Sequence, residues 1–313
     1  MFKSQKLTIE TINSINTAIR IIHEGLKPPT MREQLKMNRF DAVTWQAAIL
    51  LTGKRSILTK NQSKLSKADG INFINAGLTM SPHKEASEFF ERAFNHCPFA
   101  TEACALACVG AETGQGRLPS SKIARIGRTV ALHFDPVLFE KLIHLEIQEL
   151  EIEARKRETL TGENWRIAFR ANIASDNTQF ADELAMMCHE SDRFGYSVPN
   201  RRIVFYDYTV IPKAVIKNYG FVNRVYSRKD STNEKQCLEV LKKGFGVAVV
   251  FAGDLPKTWK GYPVIDGDIN DLWFTRKPEK GGFVVGLKVK GSNAQKQACI
   301  NSGFAISTKE IGS

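Results

Sequence analysis

The sequence lacks the long apolar runs that mark membrane proteins. Across its 313 residues no stretch is apolar over the roughly 20 positions that a helix needs to cross a bilayer. The first residues, MFKSQKLTIETINS, include basic side chains but no apolar signal-peptide core. Internal repeats and low-complexity tracts are also absent. These absences predict a protein that resides in the cytoplasm, a reducing compartment, without contact with a membrane.

Cysteine is scarce, yet half of the six cysteines, Cys97, Cys104 and Cys108, fall within twelve residues. In a reducing compartment, thiols this close together indicate metal or redox chemistry rather than disulfides. Three thiolates without a fourth ligand nearby are typical of an iron–sulfur cluster with one open iron, whereas structural zinc prefers four protein ligands. The spacing therefore predicts an iron–sulfur site. A zinc site and plain core thiols remain the alternatives.

The other cysteines, Cys188, Cys237 and Cys299, stand alone within helix-like stretches, which predicts that they belong to the core. Neither of the common phosphate-binding motifs, G-x-G-x-x-G and the Walker loop, is present. The segment GAETGQGR nevertheless follows the clustered cysteines directly. Glycines allow the backbone to approach a cofactor closely, so we predict cofactor contacts at Gly110, Gly114 and Gly116.

Acidic residues are too few to balance the basic ones, and the formal net charge is +11. Residues 1–70 alone carry twelve Lys and Arg against five Asp and Glu. Such an excess indicates nucleic acid as a possible partner, although a well-solvated surface explains it equally well. No helix-turn-helix signature is present. The basic residues that follow the glycine segment are the predicted nucleic-acid contacts: Arg117, Lys122, Arg125 and Arg128.

The apolar pattern divides the chain near residue 90. Residues 1–90 have helical periodicity, with predicted helices at 7–26 and 40–55 and a third that starts at Ser81 and runs to residue 97. From about residue 122, short apolar strands alternate with amphipathic helices, which predicts a mainly parallel sheet. The expected fold is α/β, with an open sheet or partial barrel over 91–313 and a helical N-terminal extension over 1–90.

Polar residues follow most of the predicted strands. Ligands of parallel α/β folds bind beyond the carboxyl ends of the strands, so these residues are candidates for a shared site. Two carboxylates in VIDGDIND could also hold magnesium beside a lysine, as in a metal-dependent nuclease, although an Asp-Gly turn with solvated acids explains them as well. The predicted catalytic residues are Asp176, Asp207, Ser227, Asp266, Asp268 and Lys288.

An ordered set of motifs between residues 91 and 305 resembles the gene product eighty-eight family of bacteriophages. That resemblance implies a phage context, hence the host cytoplasm, but implies no reaction. The motifs that carry it are CPFATEACALACVGAETGQGRLP, ARIGRTVALHFDP, FRANIASD, FYDYT, NRVYSRKDS, GVAVVF, YPVIDGDINDLWF and VVGLKVKG.

A more distant similarity is to radical-SAM enzymes, which hold a [4Fe–4S] cluster on three cysteines beside the first strand of a partial barrel. It implies a cluster on Cys97, Cys104 and Cys108, with S-adenosylmethionine as a second cofactor. The family spacing is C-x3-C-x2-C, whereas this chain has C-x6-C-x3-C and no glycine-rich segment after the next strand. These departures weigh against S-adenosylmethionine more than against a cluster.

Three functions are compatible with these patterns. The first is an iron–sulfur, radical-SAM-like enzyme that acts on nucleic acid or a nucleotide. The second is a metal-dependent nuclease that uses Asp266 and Asp268. The third is a non-catalytic phage protein that binds DNA or a host factor through its basic surface.

Overall fold

The computed structural model describes residues 4–60, 72–108, 114–189, 202–217 and 220–308. In these residues ten strands form one sheet that does not close into a barrel. The strands are β1 (Thr59–Lys60), β2 (Phe73–Gly77), β3 (Arg166–Arg170), β4 (Ile203–Thr209), β5 (Val222–Ser227), β6 (Gly246–Ala252), β7 (Thr258–Trp259), β8 (Tyr262–Asp266), β9 (Phe283–Lys288) and β10 (Ala305–Ser307).

Ten helices lie in the described part of the chain, and the α/β fold class is confirmed. They are α1 (Ile9–His23), α2 (Met31–Gln34), α3 (Arg39–Leu51), α4 (Glu102–Leu106), α5 (Pro119–Phe134), α6 (Pro136–Thr161), α7 (Thr178–His189), α8 (Pro212–Ile216), α9 (Glu234–Lys242) and α10 (Asn293–Asn301). None of these helices combines the length and apolar character that crossing a membrane requires.

The strand order is β1-β2-β3-β4-β5-β6-β9-β8-β7, with β10 beside β6. Every pair from β2 through β8 is parallel, and only the short outer strands β1 and β7 pair antiparallel. Strands β2 to β6 are neighbours in the sheet in the same order as in the chain. Their carboxyl ends therefore meet at one edge of the sheet, each followed by a connecting segment.

The two faces of the sheet have different coverings. One face packs on helices, as shown by Ile167 and Phe169 in the largest core cluster. The other face, which includes Ala168 and Tyr206, packs instead against Trp273 from the segment after β8. Because side chains alternate along a strand, this division assigns each strand residue to one face.

Two of the N-terminal helices form as predicted, and the third does not. Helix α1 falls within the predicted span 7–26, and Gly25 has a φ of +87° just after this helix ends. Helix α3 begins one residue before the predicted span 40–55 and ends within it. Residues 81–97 contain only one short 3-10 turn, Ser87–Phe89.

Tertiary contacts replace the helix that the pattern over 81–97 predicts. The Ser87 hydroxyl donates to the Phe94 carbonyl at 2.8 Å, and the Glu91 amide donates to the Lys6 carbonyl at 3.1 Å. The Phe90 and Phe94 rings stack with their centroids 4.1 Å apart. The apolar residues of this segment are therefore buried against the chain around Lys6 and against His133 of α5. Their helical spacing does not correspond to a helix.

The first ninety residues also contribute to the sheet. Strand β2 lies within them and pairs with β3 in parallel register from Phe73 to Gly77. Residues 1–90, expected to form a helical N-terminal extension, thus contain helices α1, α2 and α3 together with strands β1 and β2. Ile74 and Ala76 of β2 belong to the same core cluster as residues of β3, β4 and β5.

Close packing of α3 against α5 depends on Gly127. A Cβ at this position would lie 2.4 Å from the Gln46 Cγ atom, far inside contact distance. We expect Gly127→Ala to lower the free energy of unfolding by about 1–3 kcal/mol, because α5 must move away from α3.

Denaturation in urea would measure this change. Ser121→Ala, at a half-buried position of the same helix, should stay within about 0.5 kcal/mol of the wild type. Equal stability of Gly127→Ala and wild type would contradict the close approach of the two helices.

Candidate functional site

A cavity of about 220 Å³ opens at the carboxyl ends of the parallel strands. All three clustered cysteines line it, together with residues from the ends of β3, β4, β5, β6 and β9. The charged and polar residues of its lining are His83, Arg170, Asn172, Ser175, Asp176, Tyr208, Ser227, Arg228, Lys229 and Asp271. We call this space the cysteine cavity.

The cysteines lie on the long connection that follows β2. Thr101 is the N-cap residue of α4, and its hydroxyl accepts a hydrogen bond from the Cys104 backbone amide at 3.3 Å. The Cys97 amide donates to the Asn95 side chain at 2.8 Å, and its thiol lies 4.0 Å from the Ala174 carbonyl after β3. A capped short helix and a side-chain turn thus direct Cys97, Cys104 and Cys108 toward one space.

Burial holds two of these thiols in the neutral form. It raises the pKa of Cys97 and that of Cys104 to about 12, and mutual repulsion among the three sulfurs contributes to the shift. Within the described residues, no three metal-binding side chains are grouped closely enough for a single ion. A four-iron cluster binds each cysteine through a different iron, so it requires wider sulfur separations than one zinc ion does.

A buried polar network lies beside the thiols at the ends of β3 and β4. The side-chain Nδ2 of Asn172 donates to the Asp207 carboxylate at 2.6 Å, and the side-chain Oδ1 of Asn172 accepts from the Ser175 hydroxyl at 2.9 Å. Burial raises the pKa of Asp207 to about 7, which the nearby Arg170 and Arg224 partly counteract. Asp207 itself does not line the cavity but fixes Asn172, which does.

Asp176 lies in the cavity wall close to the cysteine segment. Its amide donates to the His96 carbonyl at 3.2 Å, and its Oδ2 accepts from the Val210 amide at 2.9 Å. Its Oδ1 is buried and accepts no hydrogen bond. Burial raises the pKa of this carboxyl group, which places a readily protonated acid beside Cys97 and Cys104.

Arg170 forms the opposite wall of the cavity. Its guanidinium donates to the Asp271 carboxylate at 2.9 Å and stands over the Tyr208 ring at 4.5 Å. The partner, Asp271, lies 101 residues away and comes from the segment after β8.

The structure thus brings together only part of the predicted rim. Asp176 and Ser227 line the cavity, and Asp207 supports it from beneath. Asp266 lies outside and accepts from the Asp268 amide at 2.7 Å, as expected of an aspartate turn.

Asp268 and Lys288 also lie outside the cavity. Asp268 accepts from the Lys290 ammonium at 2.5 Å and from the Lys288 amide at 2.6 Å. The Lys288 ammonium pairs with Asp254 at 3.2 Å. These carboxylates thus already bind lysine and backbone groups, which leaves the nuclease hypothesis without a supporting feature in the described residues.

The glycine segment does not reach the cavity where it is described. Gly110 lies outside the described residues. Gly114 and Gly116 belong to a 3-10 turn ending at Arg117, and the Gly116 carbonyl accepts from Arg125 at 2.5 Å. Close approach of these glycines to a cofactor therefore stays a prediction.

The predicted basic face is largely buried. Arg125 is 2% exposed and donates to both carboxylate oxygens of Glu85, at 2.6 and 2.5 Å. Arg128 donates to the Ile57 carbonyl at 2.6 Å, and burial lowers its pKa to about 10. Lys122 lies 4.0 Å from Glu85, and Arg117 is exposed. The expectation of a continuous basic surface on this helix is wrong, because Arg125 and Arg128 form hydrogen bonds inside the protein, with Glu85 and with the Ile57 carbonyl.

Sequence reasoning placed Tyr208 at the rim beside Asp207, and Asp271 in the segment VIDGDIND, but it did not pair Asp271 with Arg170. Arg170 and Asn172 alternate along β3, which indicates a shared face. No local pattern connects Asp271 to them, since its position depends on how the segment after β8 folds back on the sheet. The three isolated cysteines, by contrast, are buried in core clusters as predicted.

Removal of the Arg125 side chain tests its structural role. Arg125→Ala leaves the largely buried Glu85 carboxylate with Lys122, 4.0 Å away, in place of two short hydrogen bonds, so we expect a loss of about 3 kcal/mol in unfolding free energy. Arg117→Ala, at an exposed position, should change stability by no more than about 0.5 kcal/mol. A fully stable Arg125→Ala protein with weakened DNA binding would instead make Arg125 a nucleic-acid contact.

The buried Asp207 predicts a specific pH dependence. Its pKa is 3.8 in the unfolded chain and about 7 in the folded one, so the folded state binds more protons between these values. Its contribution to stability is therefore complete below about pH 4 and falls as pH rises toward 7, by on the order of 2–4 kcal/mol.

Comparison of wild type with Asp207→Asn isolates this contribution. Asparagine keeps the side-chain shape without the ionisation, so the stability advantage of the wild type should shrink between pH 4 and pH 8. Urea titrations at both pH values provide the measurement. The same stability difference at the two pH values would show that Asp207 ionises normally.

Comparison with known proteins supplies a family but no activity. Searches against curated proteins and against solved structures give no significant match. The family model described as Gene product 88 matches residues 50–308, which begins well before the first motif recognised in the sequence. Since this match spans most of the chain and includes every strand of the described sheet, the chain belongs to the Gene product 88 family.

Proposed function

We propose that this phage-family protein is an iron–sulfur enzyme that acts on nucleic acid or a nucleotide. One observation carries the proposal: Cys97, Cys104 and Cys108 line a single cavity at the carboxyl ends of the parallel strands. Core thiols would instead occupy separate apolar clusters, as Cys188, Cys237 and Cys299 do.

The order of elements supports a radical-SAM-like arrangement. The cysteine segment follows β2, the first strand of the parallel series, and β3 to β6 then continue the sheet in chain order. Radical-SAM enzymes likewise hold their cluster beside the first strand of a partial barrel. The C-x6-C-x3-C spacing differs from theirs, so S-adenosylmethionine is the less supported part of the proposal.

The residues present fit a cluster in charge and chemistry. Burial is the largest cause of the raised pKa of Cys97 and of Cys104, and iron would supply the positive charge that stabilises their thiolates. Cys97, Cys104 and Cys108 would hold the cluster, which supplies one-electron chemistry when bound.

The chain's own residues contribute binding and proton transfer. Asp176 lies in the cavity wall, and burial raises the pKa of its carboxyl group, so we assign proton transfer to this residue. Arg170 and Asn172 are held in fixed positions by Asp271 and Asp207, respectively. Such preorganised polar groups orient a substrate without further rearrangement.

Nucleic acid as the substrate class rests on charge and phage context. The formal net charge of +11 favours a polyanionic partner. Lys229 lies in the cavity lining and donates to the Phe99 carbonyl at 2.8 Å, which places one cation at the entrance to the site. The helix basic face contributes less than its sequence indicates, since Arg125 and Arg128 are engaged internally.

Anaerobic purification tests the cluster directly. We expect brown protein that contains iron and sulfide, with the broad visible absorption of an iron–sulfur cluster. Cys104→Ser should lose at least about nine-tenths of the iron, because one of three thiolate ligands is removed.

Cys237→Ser is the matched control, since Cys237 is a buried thiol in a separate core cluster. It should retain the iron content of the wild type. Colourless wild-type protein after anaerobic purification and reconstitution with iron and sulfide would refute the cluster. Zinc bound in its place would support the structural-metal alternative.

A further inference from the structure

The face of the sheet below the cysteine cavity contains polar groups without partners. Four such groups are buried and form no hydrogen bond: the hydroxyls of Tyr206 and Tyr208, the indole N–H of Trp273 and the side-chain oxygen of Asn75. Buried polar groups are rarely left unpaired in a native protein, so several on one face indicate an absent partner molecule.

Strand register places these groups on the same side of the sheet. Tyr206 and Tyr208 are two residues apart on β4, so both point to one face. Tyr206 and Trp273 belong to the core cluster of that face, and Tyr208 packs against it. Of these four residues, Tyr208 is the one that also lines the cysteine cavity.

The surroundings of Tyr208 define the chemistry of that molecule. Arg170 stacks over its ring, but Asp271 already neutralises this guanidinium at 2.9 Å. Ala248, Val250 and Leu287 form apolar parts of the cavity wall. The wall around Tyr208 thus offers apolar surface, a compensated ion pair and an unpaired hydroxyl, which together favour an uncharged, flat ligand with hydrogen-bonding edges.

The cavity is also large enough to hold a ligand of this kind. Its volume of about 220 Å³ far exceeds the ~10–15 Å³ that a cavity needs to hold one water molecule. Internal water alone therefore leaves most of the space unexplained. The cluster of the proposed function would take the part of this space beside the cysteines, and a planar heterocycle in the remainder would lie against the Tyr208 side chain.

We propose that the wall formed by Arg170, Tyr208 and Asp271 binds the nucleobase of the substrate in the cysteine cavity. Enzymes that modify a base enclose it between apolar and aromatic side chains and recognise its edges by hydrogen bonds. The proposal deepens the proposed function by naming which part of a nucleic acid enters the cavity, and it rests on that function for the role of the site.

Binding of nucleosides to the full-length protein tests the proposal without any catalytic assay. Isothermal titration calorimetry with adenosine, guanosine, cytidine, uridine and thymidine, with ribose as the sugar-only probe and S-adenosylmethionine as the cofactor probe, should show at least one nucleoside that binds and ribose that does not. Tyr208→Phe removes only the unpaired hydroxyl. It should weaken that nucleoside's binding by about 5- to 20-fold, since a hydrogen bond within a closed site is lost.

Tyr226→Phe is the matched control. Tyr226 is a buried tyrosine of the neighbouring strand whose hydroxyl accepts a hydrogen bond from Asn233, and it belongs to the core cluster on the helix-covered face. This variant should bind the nucleoside with wild-type affinity. Thermal unfolding of both variants will show whether any loss of binding reflects loss of the folded state.

Three results would overturn the proposal. The first is that no nucleoside binds to folded wild-type protein. The second is that Tyr208→Phe binds as tightly as the wild type. The third is that only adenosine and S-adenosylmethionine bind, which would assign the wall to a cofactor. The iron content of the same wild-type preparation separates failure of base recognition from failure of the cluster.

Discussion

Parallel pairing of successive strands is the constraint on which the site depends. Because β2 to β6 run in the same direction and neighbour each other in chain order, every connection after a strand begins at the same edge of the sheet. The cysteine segment, the Asn172 network and Lys229 are brought together in this way, although they come from positions more than a hundred residues apart. Without that pairing the three thiols would have no common cavity with the strand ends.

Long-range ion pairs then fix the side chains that the sheet brings together. Arg170 and Asp271 join β3 to the segment after β8, while Arg125 and Glu85 join α5 to the connection that carries the cysteines. Both pairs are largely buried, so each charge depends on its partner. The segment after β8 also covers one face of the sheet, where Trp273 packs against Ala168 and Tyr206.

Local pattern predicted most of the later strands and helices, because each is long enough to show its own periodicity. It failed over 81–97, where apolar residues at helical spacing are buried by contacts with Lys6 and the α5 region instead. It missed β2, whose sequence FINAG gives too short a run to distinguish a strand from a loop. The basic spacing on α5 was misread for a related reason: spacing shows which residues share a face, but not whether that face meets solvent or Glu85.

The sequence by itself determined the α/β class, the density of thiols at 97–108, the core position of the other cysteines and the family motifs. These follow from composition, spacing and short-range periodicity, which every segment carries within itself. Only the tertiary structure decided that Asp176 and Ser227 line the cavity with the cysteines, that Asp266 and Asp268 do not, and that Asp271 pairs with Arg170. The physical reason is that strand order and the path of long connections depend on contacts between distant residues, which no local pattern records.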